Sequence, residues 1–216
     1  MKIKSPLYNI TVLLFIQYIV VTVIMMLFYD VGNRYAPKLT HYVLDQNYLS
    51  DLGRSVGYAG ANNPSYIFYS LTLGLIGIGI FLFFIQVQKH MPNKTKYMVV
   101  LLALISAIGY IGIALYPADI DLRTHIIYGR TAFFSFFMTT LTSQILLNKK
   151  RFKRSNLYFT VLNLMLFFYL ILLFFGPPSS VGVWVLQIKT IAQKVMVYSQ
   201  IILCMLILNN IRNKSK

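Results

Sequence analysis

Six apolar runs, each close to the length that crosses a bilayer, constrain this chain more than any other feature. They cover residues 8–29, 64–87, 97–116, 126–147, 157–175 and 190–208. A spanning helix takes about 20 predominantly apolar residues, and in hydrocarbon a helix is one of the few structures that satisfies its own backbone. Turn and charge signals part the runs, as at Met91-Pro92-Asn93-Lys94 and Gly176-Pro177-Pro178-Ser179-Ser180. Composition excludes an ordinary soluble domain. Only 12% of the 216 residues are charged, where soluble domains carry about 25%. The expectation is an all-α, polytopic membrane protein, a single six-helix transmembrane domain over residues 1–216 with no room for a separate soluble domain. The basic start before the first run resembles a secretory leader. That run is too long for a leader's apolar region, and no small-x-small site follows before Asp30, so it reads as a retained helix.

Charge sets the orientation. Lys and Arg total 20 against five acids, all Asp, for a formal +15. In a soluble protein this would suggest nucleic acid. Here the basic residues cluster between apolar spans, so no nucleic-acid partner is expected, and the anionic inner leaflet is the natural partner of the basic loops. Alternate non-membrane segments hold Lys2 and Lys4; Lys89, Lys94 and Lys96; Lys149, Lys150, Arg151, Lys153 and Arg154; Arg212, Lys214 and Lys216, without a single acid. Asp30, Asp45, Asp51, Asp119 and Asp121 all fall in the intervening second and fourth segments. The positive-inside rule then places both termini in the cytoplasm. The Lys, Ile and Asn bias suits an AT-rich bacterium, and the expected location is a bacterial plasma membrane.

The 34 residues from Asp30 to Asn63 form the longest connection, and long connections are usually functional or disordered. Its middle, residues 41–54, is aromatic and apolar enough to predict a short interfacial or re-entrant helix. Around it gather the polar residues of the outer face: Ser50, Asp51 and Arg54; Asp119, Asp121 and His125; Arg130 about one turn into the fourth run; Gln193 and Lys194 in the sixth. Ionisable groups inside a span cost about 2.5–3.5 kcal/mol on insertion scales, so they turn inward and pair. Three readings follow. Asp51 with Asp119 or Asp121 could neutralise Arg54, Arg130 and Lys194 and lock the helices. The surplus of cations could instead bind an anionic group, which Arg grips bidentately. Or His125 or an Asp could act as general base, with Ser50 as nucleophile, in hydrolysis or transfer. The leading reading is binding of a membrane lipid or amphiphile through Arg54, Arg130, Lys194 and His125, with Asp51 orienting them and Asp119, Asp121 and Gln193 completing the set.

Other features read as structure. Only His41 and His125 lie outside, without metal-ligand spacing, so neither metal nor cofactor is expected. Cys204, the lone cysteine, sits in an apolar run as a packing residue. Gly74, Gly77 and Gly79 are mid-span and lack the following Lys of a phosphate loop; they suit close helix approach. The inner halves of the runs are almost wholly apolar, which argues against a transport path.

The segment Asn47-Tyr48-Leu49-Ser50-Asp51-Leu52-Gly53, Pro117 with an Asp and then His125, and Gln193-Lys194 together resemble the family called domain of unknown function 998. Its members are six-helix membrane proteins of bacteria and archaea, distantly grouped with the Frag1/DRAM/Sfk1 proteins of eukaryotes. The resemblance spans nearly the whole chain and implies no settled activity; the distant relatives imply lipid remodelling or membrane homeostasis. Where this chain has Lys194 the family more usually carries Arg, which exchanges a bidentate fork for a point charge.

The orientation is testable in whole cells. In a Cys204→Ser background, a membrane-impermeant thiol reagent should label Ala59→Cys and leave Lys150→Cys unlabelled until the membrane is opened; the reverse pattern would invert the topology.

Overall fold

The computed structural model describes residues 6–63, 65–93 and 95–214. Lys2, Lys4, Lys94 and Lys216 of the charge pattern, and residue 64 at the expected start of the second span, lie outside the described residues. The described fold is all-α: α1 (Pro6–Leu27), α2 (Tyr66–Val87), α3 (Lys96–Leu115), α4 (Leu122–Leu146), α5 (Lys153–Phe175) and α6 (Val183–Lys214). Five of these are long and apolar enough to cross a membrane, and α4 is outside that set. Its sequence explains why, since it carries Arg123 and Arg130 and is rich in hydroxyl residues towards its C-terminal end. Two of those hydroxyls bond back within the helix: Thr139 donates to the Ser135 carbonyl at 2.6 Å and Thr140 to that of Phe136 at 3.1 Å.

Four boundaries depart from the hydropathy pattern. The fourth helix begins at Leu122 rather than 126 because Asp121 caps it, accepting the Thr124 amide at 3.0 Å; a capping carboxylate satisfies an otherwise orphaned helix donor. The fifth begins at Lys153, taking in basic residues that apolarity alone excludes. The sixth runs from Val183 to Lys214, past the apolar stretch at both ends. Helix propensity does not stop where hydrophobicity does. In place of the short helix expected in residues 41–54 there is one five-residue 3-10 turn, Leu49–Gly53.

Each helix packs on its neighbours in sequence, and α6 returns to touch α1 and α2, which closes the bundle. The core is aromatic: Phe83 meets Phe84 with ring centroids 4.7 Å apart, and Phe84 meets Phe136 at 5.7 Å, both edge to face, a favoured geometry. Buried polar groups pair across helices, Tyr110 with Gln200 at 3.1 Å and Thr140 with Asn163 at 2.6 Å. The outward faces of α1, α2, α3 and α5 expose large apolar side chains such as Leu13, Leu71, Leu101 and Leu164. That distribution is wrong for water and right for hydrocarbon. Cys204 is buried in the core.

Small residues let two helices meet backbone to backbone. A Cβ on Gly109 would lie 2.7 Å from the Ala132 backbone, so α3 and α4 touch along their main chains there. At Gly74 nothing lies within 4 Å of the same construction. Gly109→Ala should therefore destabilise the detergent-solubilised protein by about 1–3 kcal/mol, the usual cost of overpacking, whereas Gly74→Ala should be neutral or slightly stabilising. Thermal unfolding of the two variants side by side checks this.

Candidate functional site

The segment between α1 and α2 is ordered by buried amides and carboxylates together with apolar side chains, Val31, Leu49 and Leu52, that join the core. Asn47 is fully buried. Its Nδ2 donates to the Gly32 carbonyl at 2.8 Å and its Oδ1 accepts the Val43 amide at 3.0 Å. Gly32 has φ +73°, and a Cβ there would collide with the Pro37 carbonyl, so the turn requires glycine. Asp51 follows one turn later. Its carboxylate accepts the Tyr48 amide at 2.8 Å, the Tyr58 hydroxyl at 3.0 Å and Asn47 Nδ2 at 3.4 Å.

Contacts from other elements hold this unit against the bundle. The Leu49 amide donates to Gln193 Oε1 at 2.8 Å, Thr190 Oγ1 to the Asp45 carbonyl at 2.6 Å, and Gln187 Nε2 to the Asp45 carboxylate at 2.6 Å. Lys194 Nζ donates to the Asn47 carbonyl. On the far side Asp119 accepts the Ser55 hydroxyl at 2.6 Å and the Val56 amide at 2.8 Å.

Beneath the segment, between it and the outer ends of α4, α5 and α6, lies a cavity of about 560 Å³. Ser50, Asp51, Arg54, His125, Arg130 and Gln193 line it, so six of the nine residues singled out in the sequence come together. The other three do not. Asp121 caps α4, and Asp119 fastens residues 55 and 56. Lys194 lines a separate cavity of about 440 Å³ with Val23, Met26, Tyr42 and Tyr198. Two further cations, Arg34 and Lys189, line the main cavity and are absent from the sequence-derived set. Their signal was available: each is a basic residue in an outer segment, against the positive-inside trend.

The expected pairing of carboxylates with cations takes another form. Asp45, Asp51, Asp119 and Asp121 are held by amides and hydroxyls, as described above. Arg54 instead stacks on Tyr58, 4.0 Å from the ring centroid, and donates to the Val56 carbonyl at 3.2 Å. Arg130 lies 5.1 Å over the Phe174 ring, and its buried Nε has no hydrogen-bond partner among the described residues. His125 Nδ1 lies 2.8 Å from the Tyr116 carbonyl, a contact that puts the proton on Nδ1 of the neutral ring. Among the described residues no three His, Cys or carboxylate side chains gather as metal ligands would.

Burial raises the Asp51 carboxyl above its ordinary range, against the opposing pull of the Tyr48 amide, Tyr58, Arg54 and Asn47. Partial burial pushes Asp119 the same way, but its bonds from Ser55 and Val56 outweigh that and leave it lowered. A raised folded pKa means that ionising Asp51 works against folding. Its contribution to stability is complete below the unfolded carboxyl range and is lost as pH rises through the folded value. Tyr58→Phe removes a donor to the ionised form. It should cost about 1.5–3 kcal/mol at neutral pH, the worth of a hydrogen bond to a charged group, and less once Asp51 is protonated. Denaturation of wild type and variant across acid and neutral pH measures that difference; a pH-independent gap would refute it.

The chemistry on offer is recognition of an anion at one end and of an apolar group at the other, for Leu122, Ile126, Phe133, Leu172 and Leu173 form the rest of the wall. No curated protein and no solved structure matches the chain. One family profile does, over residues 38–206, from the outer segment through most of α6. The chain belongs to the family described as protein of unknown function (DUF998).

Proposed function

We propose that this is a six-span protein of a bacterial plasma membrane, with both termini cytoplasmic, that binds an anionic lipid or amphiphile in its outward cavity. Five apolar helices carry the membrane reading. For α4 as the sixth span, its 25 residues reach about 37 Å at 1.5 Å each, enough to cross the hydrocarbon. Its ionisable residues all lie in its N-terminal part, where His125 and Arg130 border the cavity. The 3-10 turn at residues 49–53 would then sit at the interface.

The observation that carries binding is Arg130. Its guanidinium borders the cavity and its buried Nε lacks a partner among the described residues. Leaving a buried polar donor unsatisfied costs about 1–3 kcal/mol, more for a charged group, and an anionic ligand removes that cost. The apolar wall below takes a chain. A hydrolase or transferase acting on such a ligand is the second reading, favoured by His125: with Nδ1 committed to a carbonyl, its other ring nitrogen is the basic one, and Ser50 lies on the same cavity.

Native mass spectrometry of purified wild type against Arg130→Gln tests the binding reading. Retained anionic lipid should fall about tenfold, as loss of one charge-assisted contact worth roughly 1.4 kcal/mol implies, while the unfolding temperature holds. Undiminished retention would sink the proposal. Turnover of the retained lipid that disappears in His125→Ala would favour the enzyme instead.

A further inference from the structure

The balance of charge around the main cavity says more than that its ligand is anionic. Arg34, Arg54, Arg130 and Lys189 border it, and among the described residues Asp51 is the one carboxylate on its wall. Asp119 lies near His125, but its oxygens are spent on Ser55 and Val56. Asp51 likewise spends both oxygens on Tyr48, Tyr58 and Asn47. The cations are less committed. Arg130 Nε has no partner among the described residues, Lys189 reaches the Gly176 carbonyl only at 3.4 Å, and Arg54 gives one donor to a carbonyl.

A ligand with a single negative charge leaves most of this positive field uncompensated inside a partly apolar enclosure, where charges are poorly screened. A zwitterionic head is worse, because its own ammonium would sit among four cations. A phosphate carried on one ester bond supplies about two negative charges at neutral pH and three strong acceptor oxygens, and arginine forks fit those oxygens in pairs. Hydroxyls stand at the same rim: Tyr48 and Ser179 are bonded to each other at 2.5 Å, and Ser50 and Ser180 also border the cavity. The opposite wall runs out towards the surface, with Leu122 50% and Ile126 40% exposed on α4, which gives an attached chain an exit along that helix.

Resting on the reading of this cavity as an anionic-amphiphile site, we infer that its ligand is a phosphomonoester or diphosphate on an apolar chain, selected over the monoanionic and zwitterionic diesters of bulk membrane lipid. Arg130 and Arg54 grip the phosphate, and Arg34 and Lys189 at the rim distinguish a dianion from a monoanion.

The test uses the full chain in dodecyl maltoside at pH 7.5, with four probes followed by equilibrium dialysis: dodecyl phosphate, its monomethyl ester, dodecylphosphocholine and inorganic phosphate. Dodecyl phosphate should bind about tenfold tighter than its methyl ester, the effect of one added charge-assisted contact, and dodecylphosphocholine more weakly than either. Inorganic phosphate at equal concentration should fail to displace it. Arg34→Gln together with Lys189→Gln should weaken both anionic probes, but dodecyl phosphate by about tenfold more than its methyl ester, erasing most of the preference for the dianion. Equal binding of dodecyl phosphate and its methyl ester would overturn this inference and leave the anionic-amphiphile reading standing. Displacement by inorganic phosphate as effective as by dodecyl phosphate would overturn the lipid assignment in favour of a soluble phosphate ester. Failure of both anionic chains to bind would overturn the reading itself.

Discussion

The structure of the outer face depends on one buried amide. Asn47 joins the Gly32 turn, the Val43 backbone and the Asp51 carboxylate through its side chain, while its own carbonyl receives Lys194 from α6. A buried amide is costly unless its donors and acceptors are used, and here they are. Because the donors and acceptors lie on different parts of the chain, one side chain fixes the position of several segments at once. The 3-10 turn carrying Ser50 and Asp51, and hence one wall of the main cavity, inherits its place from that junction.

The bundle solves a different problem. Its exterior offers no apolar contrast with lipid, so packing and internal hydrogen bonds must hold the helices together. Main-chain contact at Gly109 and Ala132 and the buried Tyr110–Gln200 and Thr140–Asn163 pairs supply both. Towards the outer end the rule changes. There the helices α4, α5 and α6 leave space between them, polar groups line it, and the Arg130 Nε has no hydrogen-bond partner among the described residues.

Much of this was legible in the sequence because hydrophobic run length and charge asymmetry are local quantities. The runs locate the six helices to within a few residues, except at the N-termini of α4 and α5 and at both ends of α6. There a capping Asp121, or helix continuing through polar residues such as Gln187 and Lys189, extends the element beyond its apolar part. The site was partly legible. Ser50, Asp51, Arg54, His125, Arg130 and Gln193 are polar residues at one end of the chain's spans, and the fold does gather them. That Lys194 turns to another cavity while its neighbour Gln193 faces this one depends on the rotation of α6, which an almost evenly apolar helix does not encode in its pattern. Nor does pairing follow from charge alone: the carboxylates choose amides and hydroxyls that happen to lie closer in three dimensions than any cation.

That division between adjacent residues has a mechanical consequence. Neighbouring positions on a helix point about 100° apart, so Gln193 and Lys194 face two different cavities on either side of the same connecting segment. Both are fastened to it, Gln193 to the Leu49 amide and Lys194 to the Asn47 carbonyl. A small turn of α6 about its own axis drags the loop towards one cavity and away from the other. The 32-residue helix, about 48 Å long at 1.5 Å per residue, thus ties the seating of that loop to the opposite end of the bundle as one continuous element.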